Sequence, residues 1–155
     1  MVLKRAVVLL AMVIASWGVG HPAIAQTAGD KYTARLGWVP IAGPNDRANV
    51  TGKGSVTATL AGTRLTLSGT FDGLPAPATV ARLHRGVAKG ARGAAISDLT
   101  VTRAATGNAG TLAGTVTLTP ADVDNLKAGK LYVQLHCEKG FPKEDGSALW
   151  GWLLR

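Results

Sequence analysis

What the chain has least of is cysteine: Cys137 is the only one in 155 residues. No disulfide can therefore form within it, even in an oxidising compartment, and its stability has to come from packing. Acidic residues are the next scarcity, with 9 Asp and Glu against 17 Lys and Arg. The paired carboxylates of glycoside chemistry are missing, because Glu144 and Asp145 stand side by side in a turn-like stretch and are expected to face solvent. Aromatic residues make up only 5%, so any strands must be built mainly from small and β-branched side chains. No serine lies in a nucleophile motif, although Asp98 and several serines leave a Ser–His–Asp grouping open on spacing alone. The glycine-rich stretches lack the strand–loop–helix setting that a phosphate cradle requires.

What is present begins with an export signal. Lys4 and Arg5 precede the apolar run Ala6 to Ile14, and Ala23-Ile24-Ala25 supplies a small-x-small cleavage site. The rival reading, an uncleaved anchor, needs a span of about 20 apolar residues, and this run is shorter. Residues 1–25 are thus expected to be a cleaved signal peptide, with residues 26–155 forming one domain in the periplasm or outside the cell. Nothing later in the chain is apolar enough to cross a membrane. Cleavage removes two cations, so 15 basic residues remain against 9 acidic ones, a net charge of +6. That balance suits an acidic protein or an anionic cell-envelope component, or describes a soluble domain whose cations are simply solvated. The cations are scattered rather than clustered, which argues against nucleic acid. Asn49-Val50-Thr51 fits the N-glycosylation pattern, and equally a polar loop.

Alternation of period two marks the strands. Tyr32 to Val39 is the first, stopped by Pro40 and Gly43-Pro44-Asn45-Asp46. Gly54 to Leu60 and Thr63 to Phe71 flank a hairpin turn at Ala61-Gly62. Further strands are predicted over Thr79 to Gly86, Ala94 to Arg103, Thr111 to Leu118, Leu131 to Cys137 and Ser147 to Arg155. One short helix is signalled by Thr119 as cap, Pro120 at its first position, Asp122 and Asp124 near its positive end, and Gly129 at its stop. Eight or so short strands separated by Gly/Pro turns favour an all-β antiparallel sandwich or barrel. Cys137 shares a strand face with Leu131, Val133 and Leu135, which predicts a buried, inert thiol, an exposed one being the alternative.

Several of these stretches carry a family resemblance. They are Leu36-Gly37-Trp38-Val39-Pro40, Thr51-Gly52-Lys53-Gly54, the segment from Leu74 to Gly86, and Gly110 to Leu118. Thr119 to Gly129, Leu131 to His136 and Gly151-Trp152-Leu153 continue the pattern. In order and spacing the chain resembles the CHRD domain, the module repeated in chordin and also found as a single secreted domain in bacteria. The resemblance implies an immunoglobulin-like antiparallel β-sandwich outside the cytoplasm and no established catalytic activity. The family's A-H-I-H-G strand is similar to the H-x-H copper-binding strand of copper-zinc superoxide dismutases. Here the same stretch reads Ala81-Arg82-Leu83-His84-Arg85, so Arg82 replaces the first histidine and His84 matches the second. His136 matches the histidine of a Y-V-N-x-H strand. Trp38 stands where the family has an acid, and the final G-E-I-R-G-Q-L pattern becomes Ser147-Ala148-Leu149-Trp150-Gly151-Trp152-Leu153. On alternation, Ala148, Trp150 and Trp152 then share one face of the last strand.

The expected function is a non-catalytic binding or structural module of unknown ligand, with no cofactor. Its candidate binding residues are Arg82, His84, Tyr132, Gln134, His136, Trp150 and Trp152, unless the indoles are packed beneath loops as core. The alternative is a copper- or zinc-binding, superoxide-dismutase-like protein using His84 and His136, which is short of ligands and has a guanidinium beside it. The export signal is checked by intact mass of the protein from its own host: the expected mature chain starts at Gln26, and a membrane-bound form that keeps Met1 would refute the cleavage.

Overall fold

The computed structural model describes residues 29–40, 43, 47, 50–143 and 145–155. The export segment Met1 to Ala25, Asn49 of the glycosylation pattern and Glu144 lie outside the described residues. Eight strands and one helix follow in the order β1 (Asp30–Trp38), β2 (Lys53–Ala61), β3 (Arg64–Asp72), β4 (Ala78–Gly86), β5 (Gly93–Arg103), β6 (Gly110–Thr117), α1 (Pro120–Lys127), β7 (Leu131–Cys137) and β8 (Ser147–Trp152). The predicted strands and helix all form, with ends shifted by a few residues at most.

The strands close into an antiparallel barrel in the spatial order β1-β2-β3-β6-β5-β4-β7-β8. This corrects the immunoglobulin-like sandwich implied by the family resemblance, and selects the barrel from the two architectures that the strand pattern leaves open. The reason lies in two strands that each serve two neighbours. β1 pairs with β2 over Asp30–Leu36 and then gives Gly37 and Trp38 to β8. β5 pairs with β4 over Gly93–Leu99 and with β6 over Thr100–Arg103. An open sandwich leaves unpaired N–H and C=O groups along its edges; strands that cross from one sheet to the other remove those edges.

Alternation then sorts the side chains. Val56, Ala58 and Leu60 of β2, Leu65, Leu67 and Phe71 of β3, and Leu131, Val133, Leu135 and Cys137 of β7 belong to one buried core. The buried Cys137 thiol follows from its place on the inward face of β7. Burial also pushes its pKa above the usual thiol range, which keeps it a poor nucleophile. The outward positions of β2 and β3 are Ser, Thr, Lys and Arg with Ala61 and Asp72, a water-facing exterior and not the apolar band of a lipid-facing barrel. No helix among the described residues is long and apolar enough to cross a membrane.

The helix is capped as its sequence predicts. The Thr119 hydroxyl accepts from the Asp122 N–H, Pro120 opens the first turn, and Gly129 ends the helix at φ 68°, where a side chain is unwelcome. Asp122 does more than face the helix dipole. It is buried, receives the Arg85 Nε–H of β4 at 2.5 Å and accepts from the Thr119 hydroxyl at 2.8 Å. The Arg85 bond, aided by the Thr119 bonds, holds its carboxyl below the usual 3.8 against the opposing effect of burial. A carboxyl more acidic when folded stabilises the fold above pH 3.8, and that contribution is lost as pH falls through the folded value. Asp122→Asn is expected to lower the thermal midpoint at pH 7 by roughly 3–6 °C, the scale of one charge-assisted hydrogen bond in a domain of this size. In calorimetric scans the gap between the two proteins should close as the pH drops below 3.8.

Candidate binding face

Strand register brings all seven candidate residues to one outer surface. Arg82 and His84 point outward from β4, Tyr132, Gln134 and His136 from β7, and Trp150 and Trp152 from β8. Cross-strand pairing sets them in rows. Arg82 stands opposite Gln134, which stands opposite Trp150; His84 stands opposite Tyr132, which stands opposite Trp152. The next row pairs His136 with Ser147, after a register shift between Leu135 and His136. That bulge turns Ala148 into the hydrophobic core beside Leu149, which corrects the expectation that Ala148 shares the face of the two indoles. A one-residue bulge moves a side chain to the other surface of a sheet.

The aromatic rings interlock around Tyr132. His84 stacks on it with centroids 4.9 Å apart and planes 18° apart. Trp152 lies 4.5 Å away on a tilt, and Trp150 meets Tyr132 edge-on at 5.8 Å and Trp152 at 5.9 Å. Such offset and edge arrangements contribute beyond area alone, about 0.5–1.5 kcal/mol per pair. The Trp152 indole is seated over Gly86: a Cβ there would lie 2.6 Å from Trp152 Cη2 and 2.5 Å from the Ala91 carbonyl oxygen. The missing side chain at Gly86 is what admits the ring.

The two histidines hold loops. His84 donates its Nδ1–H to the Gly93 carbonyl at 3.0 Å, and the Tyr132 hydroxyl accepts from the Gly93 N–H at 3.1 Å. Together they pin the end of loop 87–92. His136 donates its Nδ1–H to the Asp145 carbonyl at 2.8 Å, pinning loop 138–146. Beside that loop, Gln134 Nε2 of β7 donates to Ser147 Oγ of β8 at 2.5 Å, and Ser147 Oγ donates to the Asp145 carboxylate. Arg92 joins the loops by an ion pair to Asp145 at 3.3 Å. Ser147, His136 and Asp145 are the residue types of a hydrolytic triad, but their connections run differently. The serine bonds the carboxylate directly, and the imidazole bonds a main-chain carbonyl.

Since each Nδ1 donates to a carbonyl, each neutral imidazole carries its lone pair on Nε2. Both Nε2 atoms are buried and without a protein partner. Oriented imidazoles of this kind resemble metal ligands, yet the remaining residues do not fit a copper or zinc centre. His84 lies opposite Tyr132 and His136 stands four residues further along β7, with the Arg82–Gln134 row between them, although the two imidazoles are near enough for the charge of one to be felt at the other. No three His, Cys, Asp or Glu residues are grouped to hold a metal among the described residues. Arg82 itself is paired: its Nε donates to Asp98 at 2.9 Å, the guanidinium half-buried and the carboxylate well exposed.

Exposure divides the seven. Tyr132, Gln134 and His136 are no more than 3% exposed, so they support the face and cannot meet a macromolecule directly. Arg82, His84, Trp150 and Trp152 are half-buried, and they supply its accessible part. Arg92, Gly93, Asp145 and Ser147 are not among the candidate binding residues read from the sequence. They are loop and strand-end residues of ordinary polar or small type, and only the paired loops make them neighbours of the histidines.

In comparisons with known proteins, the family model described as the CHRD domain matches residues 39–144. No curated protein and no solved structure matches the chain. The matched segment stops short of β8 and begins after β1, the two strands that pair to close the barrel.

Burial is the largest influence on His84 and lowers its pKa from the usual 6.5. The Gly93 carbonyl opposes this, nearby His136 and Arg82 add to it, and Asp145 offsets them in part. The unfolded chain then takes the proton more readily than the folded one. Stability is therefore full above pH 6.5 and declines as pH falls through 6.5 toward the folded value. His84→Gln, which cannot be protonated, is expected to flatten that acid limb in thermal melts between pH 7.5 and 5; an unchanged slope would remove His84 as its source.

Proposed function

We propose, for a chain that belongs to the CHRD domain family, that it is an exported, non-catalytic module which binds a protein partner in the periplasm or outside the cell. The partner meets the surface of β4, β7 and β8. The observation that carries this reading is the division of labour on that surface. Its histidines, tyrosine and glutamine are spent on anchoring two loops, while the edges of Trp150 and Trp152 remain accessible beside Arg82. Trp and Arg are the residues that concentrate binding energy at protein interfaces. Rings already locked against Tyr132 lose little conformational freedom on binding, which favours affinity. The basic balance of the chain favours an acidic partner surface.

A non-catalytic role is supported by the wiring of the polar groups. A general base needs its free nitrogen within reach of a nucleophile, and here neither bare Nε2 is hydrogen-bonded to a hydroxyl or thiol. The competing reading is a copper- or zinc-binding protein. The two oriented, bare imidazoles favour it, and the want of a third His, Cys, Asp or Glu grouped with them among the described residues opposes it.

Two measurements separate these readings. Cross-linking in the host envelope should join the wild-type chain to one protein species, with recovery falling at least tenfold in Trp150→Ala and Trp152→Ala. Melts and fluorescence must show that both variants still fold. Indoles that emit far to the blue and resist a soluble quencher, or variants that keep the partner, would return the tryptophans to the core. Calorimetric titration with copper and zinc should show weak binding that strengthens in Arg82→His; tight stoichiometric uptake by the unaltered protein would favour the metal reading.

A further inference from the structure

The outer surface of β1, β2, β3, β6 and β5 differs in chemistry from the aromatic face. Antiparallel register lines up its outward side chains in rows across the strands. One row reads Arg35, Ser55, Thr70, Thr111 and Thr102. The next reads Thr33, Thr57 and Ser68 and, beyond Ala113, Thr100. A third reads Lys31, Thr59, Thr66 and Thr115. All these positions are exposed except Thr59, which is half-buried. Neighbours within a row stand about 4.8 Å apart and successive rows about 6.7 Å apart. The hydroxyls thus form a two-dimensional lattice over five strands.

Charge on this face is one-sided. Lys31, Arg35, Lys53 and Arg64 stand on it against Asp72, which lies in register with Lys53, and Asp98 at its β5 edge, which is paired with Arg82. None of the four cations is in an ion pair among the described residues. At one corner the lattice dips into a hollow of about 270 Å³ lined by Arg35, Lys53, Ser55, Thr70 and Asp72. That volume is near the small end of ligand pockets and suits a single sugar-sized unit.

We propose that this face binds an acidic polysaccharide. One acid-bearing sugar unit sits in the hollow, its anionic group between Arg35 and Lys53, with the Ser55 and Thr70 hydroxyls donating to it. Asp72 accepts from the sugar's own hydroxyls, and the chain continues over the hydroxyl lattice toward Lys31 and Arg64. A lone small anion would not use cations spread over several rows. A lipid surface would call for apolar side chains free to insert; of the exposed large apolar residues, Val87 lies in the loop after β4 and the Trp38 indole is tied to the Gly52 carbonyl at 2.8 Å.

The test uses the full mature chain and polygalacturonate as probe, with neutral dextran, free galacturonate and anionic phospholipid vesicles as comparisons. Binding followed by calorimetry or affinity electrophoresis should appear with polygalacturonate and weaken as salt is raised. It should fall at least tenfold in Arg35→Glu and in Lys53→Glu, each checked by its melting profile. Lys127→Glu, an equal charge change on α1, should leave it within twofold, and Trp150→Ala should retain it, which keeps this face separate from the protein-binding one. The proposal is overturned if polygalacturonate is not bound, if Lys127→Glu weakens it as much as Arg35→Glu, or if vesicles or free galacturonate bind as well as the polymer.

Discussion

β7 is buried along its whole length, on both faces, and most of the architecture answers to that constraint. Its inner side chains, Leu131, Val133, Leu135 and Cys137, need only an apolar interior. Its outer ones, Tyr132, Gln134 and His136, carry polar atoms that must be bonded once water is excluded. The protein meets this demand, His136 Nε2 excepted, from loops rather than from a second layer of structure. Gly93 and Asp145 bring main-chain groups to the tyrosine and to both histidines, while Gln134 is bonded through Ser147. The loops are thereby fixed against the barrel, and Arg92 ties one to the other.

The same constraint gives the histidines a structural role on this surface, whether or not a metal binds there. An imidazole tied through Nδ1 to a carbonyl positions a loop whether or not its other nitrogen is used. What surrounds the histidines is aromatic: Tyr132 stacks on one, and two indoles extend the stack to the rim of the sheet. A rigid aromatic edge with a guanidinium beside it is the composition on which the proposed protein-binding role rests.

The barrel thus presents two exteriors of different character. Over β4, β7 and β8 the outer side chains are large and interlocked; over β1, β2, β3 and β6 they are short hydroxyls between long cations. Both rest on one interior of Leu, Val and Ala, because each strand alternates and the closed order gives every strand two neighbours.

Much of this was legible in the sequence by itself. Alternation located all eight strands, Thr119 and Pro120 located the helix start, and the Leu131 to Cys137 pattern placed Cys137 inside and His136 outside. These are local properties, set by period two and by capping chemistry. The grouping of Arg82, His84, Tyr132, Gln134, His136, Trp150 and Trp152 on one face was also expected, because strand parity and the family resemblance point the same way. Tertiary structure decided the rest. Barrel closure depends on β1 and β5 each pairing with two partners, and nothing in Ala94 to Arg103 marks where β5 leaves one neighbour for the other. Ala148 entered the core because a bulge at His136 shifted the register, a two-strand event that one strand's alternation cannot report. Asp122 became a buried counter-ion, not a simple dipole residue, because the chain brought Arg85 to it from 37 positions away. Which polar atoms are bonded, and which indoles remain accessible, depends on loops meeting across the sheet, and no local pattern encodes that meeting.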